Sequence, residues 1–359
     1  VVRDHHLGSE TLPRAAAVVN PNRQDENGSL AHLCAAAVVF LLLVETGRQL
    51  RSAGKTGPGL MAFLDLVALA TVADVAPLVG VNRAFVRQGL TVMARRARAG
   101  LVALSDAAGM DTAPTAYHLG YMLGPRINAG GRIGQADLGA RLLATEDPHE
   151  AAALAERLNT LNAERRDIEA TVRDQALTQC EARGSDGPLA WAAGPGWHPG
   201  VVGIVAARLK EATHRPAVVI GVEDGIGKGS GRSVSGIDLG APIQRLAAEG
   251  LLIKGGGHKM AAGLTIAEDK IDAAMNRLGE LLARQGADTL GPSDLRLDGM
   301  LMPDAASVEL VQQIDAAGPF GAGASAPRYA FSAMRILHAK RVGENHLKFT
   351  FGTRGGARI

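Results

Sequence analysis

The hydrophobic positions of this chain change period along its length, and the changes mark out its elements. Residues 1 to about 105 alternate short apolar blocks with turn residues. Residues 13–22 (PRAAAVVNPN) predict a short strand closed by Asn-Pro, residues 30–50 a helix, and residues 65–75 (DLVALATVADV) a second apolar helix or strand carrying Asp74. From residue 147 the period becomes helical and stays so. Asp147 is placed to cap, Pro148 takes the first helical position and Glu150 completes a capping box. Leu154, Leu158, Leu161, Ile168 and Val172 then recur at helical spacing until Gly184 ends the pattern. At 1.5 Å per residue such a helix runs about 50 Å, long enough to join two domains.

After Gly187 the texture is strand, glycine turn, helix, strand (PLAWAA, GPGWHPG, VVGIVAARLKEA, PAVVIG), which predicts a second α/β unit. It continues through a glycine-rich strand at residues 227–233 (GKGSGRS), a helix near residues 241–249, a loop at Gly255-Gly256-Gly257-His258 and an amphipathic helix near residues 270–285. A linker of Gly, Pro, Ser and Asp at residues 286–294 opens a third region of alternating strands, among them residues 346–351, which predicts the first strands of a small barrel. The expected architecture is therefore α/β: two α/β domains joined by a long helix, followed by an incomplete β-barrel.

Composition narrows the partners. A chain of 359 residues is too long for one ordinary core and suggests two or three domains. A net charge of +2 excludes an overall basic coat, so any anion must be held by local clusters. Aromatic residues make up 3% of the chain, which argues against a wide stacking platform for bases. Cys34 and Cys180 stand apart in unrelated contexts, which fits a reducing cytoplasm and argues against a disulfide scaffold or a cysteine-ligated zinc site. The apolar run of residues 34–44 falls well short of the roughly 20 residues that span a bilayer, so no membrane segment is expected, and no signal peptide either.

The candidate chemistry starts at residue 4. Asp4-His5-His6 follows what reads as a strand end, where open α/β sheets bind ligands. Strand alternation would send His5 and His6 to opposite sides, one toward a metal and one toward a phosphate, with Asp4 orienting its neighbours; solvated loop histidines are the plainer reading. Asp74, in apolar surroundings, needs a cation, a metal or a helix N-cap role. Imidazole with carboxylate oxygens suits Mn²⁺ or Mg²⁺. Residues 123–132 (LGPRINAGGR) read as a loop that offers Arg126, Asn128 and Arg132 to phosphate, or to an interdomain salt bridge. In GKGSGRS, small residues admit an anion to the backbone while Lys228, Ser230, Arg232 and Ser233 add charge and hydrogen bonds; a plain glycine-rich β-turn is the alternative. His258 and Lys259 follow three glycines over a possible helix N-terminus, a third place for phosphate.

Asp4-His5-His6, the TVADV stretch around Asp74, LGPRINAGGR, GSGRS and GGGHKMAAG, in this order, resemble the DHH phosphoesterase superfamily. LGPRINAGGR with a trailing β region resembles its RecJ family of single-strand-specific 5′ to 3′ DNA exonucleases. The resemblance implies a DHH phosphoesterase domain over residues 1–144, a connecting helix over 145–186, a DHHA1 domain over 187–287 and part of an OB-like domain over 288–359. It implies His5 and Asp74 as metal ligands for Mn²⁺ or Mg²⁺, Asp4 as their support, and His6 on the scissile phosphate. Arg126, Asn128, Arg132, Lys228, Ser230, Arg232, Ser233 and His258 would bind the strand. The implied setting is DNA repair and recombination in the cytoplasm, by a monomer acting on single-stranded DNA beside a single-strand-binding protein or helicase. The family's further acidic motifs lie upstream of the Asp-His-His run, so a chain beginning here is expected to hold metal weakly and to show little nuclease activity alone. Two other readings share these motifs: a phosphodiesterase for short oligonucleotides or cyclic dinucleotides, and a non-catalytic single-strand-binding relative.

Overall fold

Two short parallel strands open the chain. Val2–Arg3 (β1) pairs with Val18–Val19 (β2), Val2 opposite Val18. The computed structural model describes residues 1–8, 10–184, 187–289, 294–332, 334–343 and 346–352. These fall into two compact units: residues 1–125 and 145–151 with those from 294 onward, and residues 126–144 with 152–293.

In the first unit, helix α1 covers Ala35–Ser52, beginning five residues after the expected start because turns at Ala31 and Leu33 precede it. Helix α2 covers Leu64–Ala73, α3 Gly80–Met93 and α4 Ala99–Ala107. Leu33, Val38 and Phe40 pack with Leu64 and Val67 in the core, and Phe40 meets Phe85 edge-on at 5.4 Å. Helices α2 and α3 touch at Gly89, where a Cβ would lie 2.2 Å from the Leu64 carbonyl oxygen. Buried Asp65 is held by Arg98 through two hydrogen bonds of 2.9 and 3.1 Å. A π-helical turn, His118–Leu123, then leads directly into α5, Gly124–Ile133.

The third region joins this first unit. Arg83 and Arg87 of α3 donate to the carbonyls of Ala317, Ala316 and Gly318, Arg83 lies over the Phe320 ring, and the Leu78 N–H donates to Ala322. Strand β8 (Gly299–Met300) pairs in parallel with β9 (Tyr329–Ala330), and β10 (Arg335–Val342) forms an antiparallel hairpin with β11 (His346–Gly352). Helix α11 (Val308–Ala317) interrupts the expected run of strands; Ser307 caps it, accepting from the Leu310 N–H at 3.2 Å. Among the described residues these strands do not close into a barrel.

In the second unit, α6 covers Leu138–Ala144, and the expected strut is helix α7, Pro148–Arg183, which runs into this unit from the first. The Asp147 carboxylate caps it by accepting from the His149 N–H at 2.8 Å. Glu150 turns to the Thr145 hydroxyl instead of completing the capping box, and that hydroxyl accepts from the Asp147 N–H. A five-stranded sheet follows in the order β3-β4-β5-β7-β6: β3 Ala190–Pro195, β4 Ala217–Glu223, β5 Ile226–Arg232, β6 Lys254–His258 and β7 Ala261–Ala267. Helix α8 (Pro199–Thr213) connects β3 to its parallel neighbour β4, and all other pairs are antiparallel. Val218, Ile220 and Val222 face a core built with α9 (Gly240–Ala248) and α10 (Ile271–Ala283), while Ala217 and Val219 face α8 and the later part of α7. Burial on both faces explains why β4 is a continuous apolar run rather than an alternating one. Gln179 of α7 covers the β3 edge, exchanging hydrogen bonds with both backbone groups of Ala193. Among the described residues no helix is long and apolar enough to cross a membrane.

Candidate metal and phosphate sites

The β1–β2 ladder ends at the Asp4 N–H, which donates to Val19, and the chain then turns. The Asp4 carboxylate accepts from the backbone N–H groups of His5 (2.7 Å) and His6 (3.2 Å) and lies 2.8 Å from the His6 ring Nδ1. The hydrogen bond with the His6 ring, then that from the His6 N–H, holds this carboxyl below the usual carboxylate range. Strand alternation therefore stops before residue 5, and the two imidazoles do not diverge. Their ring centroids are 4.4 Å apart, and the donor atoms of Asp4, His5 and His6 all lie within 4.8 Å of one another. Two residues that the sequence reading passed over hold this turn. Asn20 donates to the His6 carbonyl and Asn22 to those of His5 and Ala31, so the Asn-Pro-Asn after β2 fixes the Asp-His-His geometry.

Asp74 joins the group across 69 residues of sequence, its carboxylate 3.5 Å from His5 Nδ1. It stands at the C-terminal end of α2, which rules out the N-cap role, and its side chain is 43% exposed rather than enclosed in apolar surroundings. A carboxylate there meets the negative end of the helix dipole, so a cation is favoured beside it. The next residue, Val75, is β-branched yet has φ 57°, a strained conformation of the kind that collects at functional sites.

The three expected anion loops are a helix and two strands. LGPRINAGGR spans the end of the π-turn and most of α5, because its glycines admit close packing: a Cβ at Gly124 would lie 3.1 Å from Ala73 Cβ, and one at Gly130 3.1 Å from Leu158 Cδ2. GKGSGRS largely forms β5, where Cβ atoms at Gly227, Gly229 and Gly231 would press on Ile220, Leu264 and Leu239. The alternation that turns these glycines inward sends Lys228, Ser230 and Arg232 to the other face. Gly255–His258 lies in strand β6 rather than in a loop; the His258 backbone packs against Gly240 at the start of α9, whose first N–H groups are already taken by Asp238.

Around the start of α8 the second unit concentrates positive charge. His198 caps this helix, accepting from the Gly200 N–H, and Arg132 donates to the Gly200 carbonyl at 3.0 Å. Arg232 donates to Ser230 Oγ at 3.0 Å, and Gly203 lies directly against both side chains. Burial of the guanidinium, followed by the like charges of Arg165 and Arg232 and eased by Glu169, pushes the Arg132 pKa down; burial does the same for Arg232. His258 falls in the same cross-strand row as Arg232, both level with Ala261 of β7. Arg126 donates to Asn159, and burial, then Arg166, lowers its pKa. Asn128 and Lys228 are exposed, whereas Ser233 is buried and donates to the Ile237 carbonyl, which takes it out of the group. His198, Arg165 and Asn159 were not singled out from sequence; the Trp-His-Pro-Gly run before α8 was the available signal for the first.

The DHHA1 domain family matches residues 186–284 and the RecJ OB domain family residues 297–359. The chain is similar to the single-stranded-DNA-specific exonuclease RecJ of Escherichia coli, at 40% identity over 99% of this chain and 64% of that protein. Among solved structures, RecJ from Thermus thermophilus in complex with Mn²⁺ superposes with a TM-score of 0.81 at 33% identity, over 98% of this chain and 51% of that one. An exonuclease RecJ bound to manganese superposes at 0.64 with 36% identity, over 79% of this chain and 69% of that one. The chain thus spans about two-thirds or less of the length of most of these relatives.

Proposed function

The chain belongs to the RecJ family, and on that premise we propose that the protein carrying it is a metal-dependent nuclease that shortens single-stranded DNA from its 5′ end. The observation that carries this reading is the Asp4-His5-His6 cluster with Asp74 brought to His5 at 3.5 Å. Carboxylate and imidazole donors fit Mn²⁺ or Mg²⁺, and His5 and Asp74 would hold the ion. When bound, such an ion supplies an activated water and Lewis-acid stabilisation of the phosphate oxygens. Asp4 fixes the ring orientation of His6, which in turn meets the scissile phosphate. Arg132, Ser230 and Arg232 at the start of α8 would take backbone phosphates, with Arg126, Asn128, Lys228 and His258 along the strand. On this reading residues 1–144 belong to the DHH phosphoesterase domain, 145–186 form the connecting helix, 187–287 the DHHA1 domain and 288–359 the OB domain. The setting would be cytoplasmic DNA repair and recombination by a monomer, with a single-strand-binding protein or helicase as partner.

The test follows a 3′-labelled, 5′-phosphorylated single strand and its blunt duplex with the full-length protein carrying this chain and Mn²⁺. Progressive 5′ shortening of the single strand, abolished by His5→Ala and by Asp74→Ala, is the expected result. Retained binding without cleavage in the unsubstituted protein, or cleavage of dinucleotides alone, would overturn the reading.

A further inference from the structure

Two of the chain's three tyrosines stand together at the surface. Tyr117 and Tyr121 are stacked, with ring centroids 5.0 Å apart and planes 27° apart, yet they remain 62% and 73% exposed. His118, between them in sequence, meets Tyr117 edge-on and is anchored by the Thr115 N–H, which donates to its Nδ1 at 3.0 Å. Tyr117 stands immediately before the π-turn and Tyr121 within it, and glycines on either side of Tyr121 seat that turn on the last residues of α2. A Cβ at Gly120 would lie 3.3 Å from Val72 Cγ1, and one at Gly124 3.1 Å from Ala73 Cβ. Asp74 follows immediately. A rigid aromatic pair is therefore mounted on the helix end that delivers Asp74 to His5, in a chain with few aromatic residues.

We propose that the stacked Tyr117–Tyr121 pair is a nucleobase platform that holds an unpaired base of the strand whose phosphate lies at the Asp4-His5-His6-Asp74 cluster. This rests on the single-strand reading of that cluster. Stacked tyrosines present a flat π-face that any base can use, and base stacking on an aromatic side chain is sequence-tolerant. The pair's preorganisation means little ordering is lost on binding. In a duplex the bases are already stacked on one another, so the platform favours single strands.

The experiment uses the protein carrying this chain with EDTA, so that binding is read without hydrolysis. Fluorescence anisotropy gives the dissociation constants for a single strand, for the same strand with consecutive abasic positions at its 5′ end, and for the duplex. Tyr117→Ala with Tyr121→Ala is expected to weaken the intact single strand about tenfold or more while leaving the abasic strand nearly unchanged, and the double Phe variant is expected to keep wild-type affinity. Equal binding of intact strand by the Ala variant, or an equal loss on both strands, overturns the platform alone. A wild-type protein that binds duplex as tightly as single strand overturns the single-strand reading with it.

Discussion

Replacing Gly200 and Gly203 by alanine separates packing from ligand binding at the start of α8. A Cβ at position 200 would stand 2.4 Å from the Arg132 carbonyl oxygen and 3.0 Å from its carbonyl carbon, against an ordinary contact of 3.4 Å or more. The nearest atoms are main chain, so no rotamer relieves the clash, and α8 and α5 must part by about 1 Å. Overpacking of this kind costs about 1–3 kcal/mol. Position 200 is in the first turn, where the helix-propensity gain of alanine falls below its interior value of about 1 kcal/mol; the net loss expected for Gly200→Ala is about 1–2 kcal/mol. At position 203 the nearest atoms are Ser230 Oγ at 3.1 Å and Arg232 Nη2 at 3.2 Å, both ends of side chains. Gly203→Ala should therefore leave stability unchanged or slightly raised, because the interior propensity gain offsets the small displacement, while it disturbs the Ser230–Arg232 pair. Urea denaturation measures the first effect, and competition between 5′-phosphorylated and 5′-hydroxyl strands measures the second, with the preference for phosphate reduced in Gly203→Ala. Wild-type stability in Gly200→Ala, or equal destabilisation of the two variants, would refute the reasoning.

Ile220→Ala removes a fully buried side chain from the sheet core and should cost about 2–5 kcal/mol in urea denaturation; a loss near zero would mean that the core repacks freely. Arg98→Ala strips buried Asp65 of its two-pronged partner and should cost about 3–5 kcal/mol, whereas replacing both residues by leucine should recover most of that loss. A double variant no more stable than the single one would contradict the pairing. Glu249 is held at about 2 by hydrogen bonds from Arg277 and then Arg245. A carboxyl lowered on folding contributes stability above its unfolded value of 4.5, and the contribution is lost as pH falls toward about 2. The thermal midpoint of Glu249→Gln should accordingly lie below wild type at pH 7, begin to approach it below pH 4.5 and meet it only near pH 2, and a constant gap would argue against the linkage.

The elements legible from sequence are those with an unbroken period and honest caps. Helix α7 was readable because Leu154, Leu158 and Leu161 recur at helical spacing and are buried, and Asp147 and Gly184 bound it, and the sheet unit was readable from its strand–helix–strand alternation. Helix α5 was not, because Gly124, Gly130 and Gly131 lower its intrinsic helix propensity and only tertiary contacts repay the loss. The members of the candidate metal site were legible, since Asp4, His5 and His6 are adjacent and Asp74 is an isolated carboxylate in an apolar stretch. Their geometry was not. It depends on an Asp4 side-chain turn and on Asn20 and Asn22, side-chain-to-backbone bonds that leave no periodic trace.

The glycines act differently in the candidate phosphate site. In a loop, glycine would serve a ligand by exposing the backbone, and GKGSGRS and LGPRINAGGR invite that reading. In this fold the same glycines close the backbone onto protein. Gly227, Gly229 and Gly231 let β5 lie flush against Ile220, Leu264 and Leu239, and that inward packing obliges Lys228, Ser230 and Arg232 to share the opposite face. Gly203 then admits α8 to within contact of Ser230 and Arg232, and Gly200 admits it to Arg132. The outcome is that Arg132, Arg165 and Arg232 gather at the positive end of a helix with Glu169 in opposition. Like charges in a partly desolvated place repel one another and the helix dipole, so the folded unit holds an electrostatic cost that a phosphate would relieve. The motif would therefore serve an anion indirectly: its glycines contribute close packing, and the packing concentrates the cations.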